Sequence, residues 1–208
     1  GFAFTVDLDY YGRRERDLAK RYRTTSRQTA SAIEWQYRFS WKDIERIRSK
    51  FDIPLILKGI ATAEDAQMAV EHGIDVIYAS NHGGRQLDHG RGGIDTLPEI
   101  VDAAGDNADV MIDGGFMRGG DIVKAMALGA DAVGLGRLQG LALGAGGRAA
   151  VVRMLEILEI EIRICMGLLG VTSYDELTVD HLHQVPAVEL PHPLSAFPLL
   201  YEDYLNEE

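Results

Sequence analysis

Some polar residues in this sequence fall where packing alone gives them no reason to be. Asp7 closes the apolar run Phe2–Val6, with Arg13 and Arg14 just beyond it. Lys58-Gly59 closes a second run, and Ser80-Asn81-His82-Gly83-Gly84-Arg85 a third. Asp113-Gly114-Gly115 closes a fourth and Gly136-Arg137 a fifth. Imidazole is the side chain whose ordinary pKa suits proton transfer near neutrality, and a carboxylate beside it makes it more basic. Guanidinium groups pair bidentately with carboxylates or phosphates. The set therefore suits acid–base work on a molecule held by its negative charge. Taken singly, each residue also has a plain reading: a solvated lysine, an Asp-Gly-Gly turn, a structural histidine. Their recurrence at successive strand ends carries the inference, because buried charges are costly unless paired or used.

The elements that bring them together repeat from Trp41 onward. Short apolar strands are expected at Pro54–Lys58, Asp75–Ser80, Asp109–Asp113 and Ala132–Gly136, with Phe2–Asp7 as an opening strand. Amphipathic helices follow at about Ala63–Glu71, Thr96–Ala104, Gly119–Leu128 and Gly147–Leu168. Ser40–Asp43 and Thr96–Glu99 read as capping boxes, and Gly73, Gly105 and Gly129 stand where helices should stop. Continuous apolar strands joined by helices make a parallel sheet covered on its outer face. The expected fold is α/β: the C-terminal portion, about strands 4 to 8, of a TIM (β/α)8 barrel, whose chemistry lies at the C-terminal ends of its strands. Three βα units of such a barrel are not in this sequence, and an N-terminal half-barrel on another chain or segment is expected to close the open edge. Residues 1–184 are read as the barrel part, 20–39 as a mobile loop and 185–208, with four of the six prolines, as an extended tail.

Composition narrows the classes. With 32 acidic against 21 basic residues the net charge is −11, which argues against nucleic acid or an anionic membrane as partner. No apolar run is long enough to cross a bilayer. The single Cys165 rules out an internal disulfide framework and fits a reducing compartment, so a cytoplasmic location is expected. Metal binding is not expected: His82 and His89 are separated by a glycine-rich loop, and His181 and His183 lack a carboxylate helix partner. The loops Asp113–Gly120 and Gly134–Arg137 suit phosphate, where glycine lets backbone amides approach the oxygens. Gly134-x-Gly136 is not a dinucleotide fingerprint, because its third glycine position holds Gln139.

The run Ser80-Asn-His-Gly-Gly-Arg-Gln-Leu-Asp88 resembles the FMN-dependent 2-hydroxy-acid oxidases and dehydrogenases, a family acting on lactate, glycolate or mandelate. Thr5-Val-Asp7, Gly12–Glu15, Leu57–Ile60, Asp113–Gly115 with Arg118-Gly119, and Leu128–Arg137 recur in the family's order. The resemblance implies FMN as cofactor and oxidation of an L-2-hydroxy carboxylate to the 2-oxo acid. It makes His82 the base, Asp7 its partner, and Lys58 the cation beside the flavin. It assigns Arg14 and Arg85, with His82, to the substrate, and Thr5 and Ser80 to the flavin ring. Asp113 goes to the ribityl chain, and Gly115, Arg118, Gly136 and Arg137 to the phosphate site. It further implies a homo-oligomer, a tetramer in this family, and substrate-facing tyrosines in the absent half. Two positions depart from the family pattern: Met117 where an arginine is usual and Leu138 where a proline is usual. Two other readings are a type 2 isopentenyl diphosphate isomerase-like FMN/phosphate barrel and a non-catalytic half-barrel subunit. The combination of His82, Asp7, Arg14 and Arg85 favours hydroxy-acid chemistry over both.

Overall fold

The computed structural model describes residues 1–8, 12, 19, 21, 37–87 and 90–186. The expectations for Arg13, Arg14, Asp88 and His89, for most of 20–39 and for 187–208 lie outside the described residues.

Five parallel strands form one sheet in the order of the sequence: β1 (Phe2–Thr5), β2 (Leu55–Ile60), β3 (Val76–Ala79), β4 (Asp109–Asp113) and β5 (Ala132–Gly134). Between them lie α1 (Trp41–Arg48), α2 (Ala63–Glu71), α3 (Gly93–Ala104) and α4 (Gly119–Ala127), and α5 (Arg137–Leu169) follows β5. A parallel strand order that never reverses keeps the helices on one face when the crossovers share the usual right hand. A doubly wound sheet would reverse. The order seen is that of a barrel wall, as expected.

The two faces of the sheet differ as alternation requires. Leu55, Leu57, Ile60, Ile77, Ala79, Val110 and Ile112 are buried against Ile44, Ala66, Ala69, Leu97, Ile100 and Ala125 of the helices. The residues between them, Ile56, Lys58, Val76, Tyr78, Met111 and Asp113, are only half-buried. They share the inner, concave face. Register aligns Thr5, Lys58, Tyr78 and Met111 across four strands, and Asp113 with Gly134.

Helix starts follow their caps. The Ser40 amide donates to Asp43 Oδ2 at 3.0 Å, completing the expected capping box of α1, a device that contributes about 1 kcal/mol. Helix α2 has the expected bounds, with the Asp65 amide donating to Thr62 Oγ1. Two expectations are corrected. Helix α3 begins at Gly93 rather than Thr96, because Asp95 takes the Gly92 amide at 3.2 Å. Thr96 is buried and donates to the Gly93 carbonyl, while Glu99 pairs with Arg91. The last helix begins at Arg137 rather than Gly147, with non-helical backbone at Gly146 and Gly147 breaking it into two parts. The second part packs on α4 through Ile162, Cys165 and Met166. Among the described residues, no helix is long and apolar enough to cross a membrane.

Candidate active site

The ends of β2, β3, β4 and β5 enclose a cavity of about 660 Å³. Lys58, His82, Gly83, Arg85, Asp113, Gly115, Gly136 and Arg137 line it, so most of the residues expected at the site share one wall. Its volume falls in the range of cofactor and substrate pockets.

At one end His82 Nδ1 lies 3.1 Å from Asp7 Oδ1. A carboxylate can only accept, so Nδ1 carries the hydrogen and Nε2 is left as the acceptor. The His82 side chain is 27% exposed and that of Asp7 13%. Asp7 Oδ2 is buried and has no partner among the described residues. Asp7 packs on the backbone at Gly59, where φ is +111° and a Cβ would stand 2.8 Å from the Asp7 side chain. Only glycine fits that contact, which explains the glycine after Lys58. His82 itself adopts φ of +54°, a left-handed conformation a non-glycine residue holds at some cost, and one found preferentially at functional sites.

At the other end Lys58 Nζ donates to Ser80 Oγ at 2.6 Å and lies 3.1 Å from Asp113 Oδ2. Ser80 Oγ donates to Asp113 Oδ1 at 2.6 Å and accepts the His82 amide at 3.1 Å. A hydroxyl has one hydrogen and two lone pairs, and all are used. Ser80 is 2% exposed and lies behind the cavity wall. It therefore ties the histidine end to the lysine end. Lys58 keeps one N–H directed to no protein acceptor among the described residues, at the cavity surface.

A residue absent from the expected set joins this group. Tyr78 lies under Lys58, with Nζ 4.9 Å from its ring centroid. Burial, then the charge of nearby Asp113, push its pKa up to about 12, so it stays neutral. Strict alternation would have found it: two residues before Ser80, it faces as Lys58 does. The cavity wall also takes in Phe116, Met117, Leu138 and Leu141, apolar residues that a search for polar strand ends passes over.

Two expected residues stand elsewhere. Thr5 is aligned with Lys58 on the outermost strand but does not line the cavity. Arg118 also lies off the wall: its Nε donates to Glu161 Oε1 at 2.6 Å, and the Gly119 amide donates to Glu161 Oε2 at 2.7 Å. The start of α4 and Arg118 thus close on a carboxylate from α5, and Arg118 ties two helices together rather than facing the phosphate loops. The guanidinium holds the Glu161 carboxyl below its ordinary value of 4.5. Arg14 is outside the described residues; Gly12, two positions before it, packs on the backbone of Arg85 and Gln86.

The geometry fits an anionic cofactor. A Cβ at Gly115 or Gly136 would meet nothing within 4 Å, so the space beside both residues is open. Arg137 stands beside them at the start of α5, where helix amides favour a phosphate. Its guanidinium lies over Gly83, whose Cβ would be 3.2 Å from it. Among the described residues no cluster of His, Cys, Asp or Glu has the arrangement of a metal site.

Comparison with known proteins gives one consistent picture. A family model described as FMN-dependent dehydrogenase matches residues 1–184. The chain is 44% identical over 144 residues to an L-lactate oxidase of Nostoc sp., covering 69% of this chain and 40% of that protein. It is 39% identical over 197 residues to a peroxisomal (S)-2-hydroxyacid oxidase of Arabidopsis thaliana, covering 86% and 54%. A crystal structure of mandelate oxidase is 42% identical with a TM-score of 0.74, over 83% of this chain and 53% of the other. A variant of mandelate oxidase solved with a C4a-OH-FMN adduct gives 43% and 0.74. The chain spans about half the length of the curated relatives it matches.

Proposed function

Because the chain belongs to the FMN-dependent dehydrogenase family, we propose that it forms the catalytic half of a flavoenzyme oxidising a 2-hydroxy carboxylate to the 2-oxo acid. The observation that carries this reading is the Asp7–His82 pair opening into the cavity that Lys58, Arg85 and Arg137 line.

Lys58, Asp113, Gly115, Gly136 and Arg137 would hold FMN, the last three at its phosphate. Bound FMN supplies the two-electron sink and returns the electrons to an acceptor. Arg85, together with Arg14, pairs with the substrate carboxylate and so orients its α-carbon. Nε2 of His82 takes the hydroxyl proton as the Cα–H bond gives up its electron pair. Asp7 holds the imidazole in the right tautomer and stabilises the imidazolium that results. The Lys58 ammonium stabilises negative charge at the cofactor end of the cavity. The product is a 2-oxo acid, with two electrons passed on and two hydrogens removed.

The remaining barrel strands come, in this reading, from sequence outside these 208 residues, on a further segment or a second chain. The assembled unit is a homo-oligomer, a tetramer. A reducing compartment, the cytoplasm, belongs to the same reading and rests on the lone Cys165.

The test is anaerobic mixing of the flavin-loaded protein with lactate, glycolate or mandelate. The yellow flavin absorbance should bleach with at least one of them. His82→Ala should slow bleaching about 10²–10⁴-fold while leaving FMN bound. Bleaching at an undiminished rate in that variant would remove His82 as the base.

A further inference from the structure

The loop after β3 carries both His82 and Arg85, and its backbone takes an uncommon path to do so. His82, Gly83 and Gly84 have φ of +54°, +67° and +69°, three left-handed residues in a row. Glycine adopts that conformation freely, but a histidine holds it only where its surroundings fix it. The residue before the turn does much of the fixing. Asn81 Oδ1 accepts the Gly84 amide at 3.1 Å, and the Asn81 carbonyl accepts the same amide at 3.0 Å. Asn81 Nδ2 donates to the Arg91 carbonyl at 3.0 Å, on the far side of the loop. One side chain thus closes the turn that opens the loop and ties it to the residue where the chain leaves for α3.

The far side is anchored away from the cavity. Both terminal nitrogens of Arg91 donate to Glu99 of α3, at 2.8 and 2.7 Å, and Nη2 also reaches the Ala61 carbonyl beyond β2 at 3.2 Å. Neither Asn81 nor Arg91 lines the cavity, and no step of the reaction above uses either.

We propose that Asn81 is a positioning residue that keeps His82 and Arg85 in working register by pinning their loop to the Arg91 carbonyl. The imidazole meets Asp7 from a left-handed residue, and relaxing that φ to the usual region would redirect the side chain. Arg85, three residues on, would shift with it. A base and a carboxylate clamp displaced together lose the alignment on which rate depends. Gly115 and Gly136, on the loops after β4 and β5, stay where they are. The effect on catalysis rests on the hydroxy-acid reading above; the closure of the loop does not.

Three variants of the flavin-loaded protein test this. Asn81→Ala removes both side-chain bonds. Asn81→Asp keeps the acceptor for Gly84 and loses only the tie to Arg91. Arg91→Ala leaves Asn81 intact and frees the anchor. Amide hydrogen exchange of residues 82–87 is measured without substrate, and flavin reduction, KM and FMN affinity are measured separately.

Exchange at 82–87 should quicken about tenfold in Asn81→Ala, with the strands unchanged. Flavin reduction should slow about tenfold, the size of one modest hydrogen bond, while KM rises and FMN affinity holds. Asn81→Asp should slow reduction nearly as much. Arg91→Ala should slow it about threefold, and adding that change to Asn81→Ala should cost nothing more, because both act through one contact. Wild-type exchange and reduction in Asn81→Ala overturn the proposal, even with a lowered melting temperature, since that alone marks a structural role. Slowing that multiplies in the double variant, or wild-type reduction in Asn81→Asp, overturns the tie to Arg91. Should Asn81→Ala fail to fold, Asn81→Asp decides by the same two readouts. If no 2-hydroxy acid bleaches the wild-type flavin, the functional reading falls, and quickened exchange at 82–87 would still leave the Asn81 tie standing.

Discussion

The two carboxylates of the site are held in opposite ways. Asp113 uses both oxygens, with Ser80 on one and Lys58 on the other. Asp7 meets His82 through one oxygen and leaves the other buried with no partner among the described residues. The left-handed backbone of His82 falls at the Asp7 end too. A fully satisfied network fixes geometry, whereas an incompletely satisfied acceptor, which costs about 1–3 kcal/mol, marks a place where something else decides. In the proposed reaction the Asp113 end is a mounting and the Asp7 end is where the proton moves. Ser80 joins them, its hydroxyl on the lysine end and on the His82 amide.

The largest test of that contrast compares the same kind of change at the two ends. Asp7→Asn should reduce the rate of flavin reduction about 10²–10⁴-fold, because His82 loses the partner of its charged form. Its unfolding midpoint in urea should hardly change. Asp113→Ala strands Lys58 beside a vacated site and should lower stability by about 3 kcal/mol, read from the same unfolding curves. Equal stability losses in the two variants would erase the distinction.

A smaller effect separates the two arginines of the late loops. Arg137→Ala should weaken FMN binding about tenfold, measured by quenching of flavin fluorescence, since a charge-assisted contact is lost. Arg118→Ala should leave that affinity alone and lower the melting temperature, because its guanidinium closes on Glu161. The reverse pattern would return Arg118 to the phosphate site.

The smallest is an acid limb in stability. Glu161 titrates below its ordinary 4.5 in the folded chain, so its contribution is present in full above the unfolded value. It is lost as pH falls below about 4.5 and through the lowered folded value. Glu161→Gln should flatten that part of the pH–stability curve. A curve identical to wild type would show the clasp to be weightless.

Much of this was legible in the sequence because apolar strands and capped helices have short-range causes. The strand ends named Lys58, His82 and Asp113 before any geometry was available, and Ser40–Asp43 announced α1. What escaped depended on distance along the chain. Arg118 meets a carboxylate 43 residues away, so a guanidinium next to glycine-rich sequence read as a phosphate ligand. The bonds that Ser80 makes to Lys58 and Asp113, on two other strands, likewise leave no mark in the sequence. Tyr78 lies inside a strand, where only the face it presents sets it apart from its apolar neighbours. The true start of α3 was missed for a local reason: Asp95 caps from inside the glycine pair Gly92-Gly93, a weaker signal than Thr96-Leu97-Pro98-Glu99.

The break at Gly146–Gly147 has a consequence for anyone redesigning this chain. With φ of +61° at Gly147, no ordinary side chain continues the spiral through that point without strain. The nine residues from Arg137 to Ala145 therefore take their heading from two glycines and not from the long rod behind them, which is braced on its neighbour by Glu161. Aim and anchorage are separate adjustments. Insertions or replacements at the joint would swing the guanidinium tip across the mouth of the cavity, while the brace stays where it is.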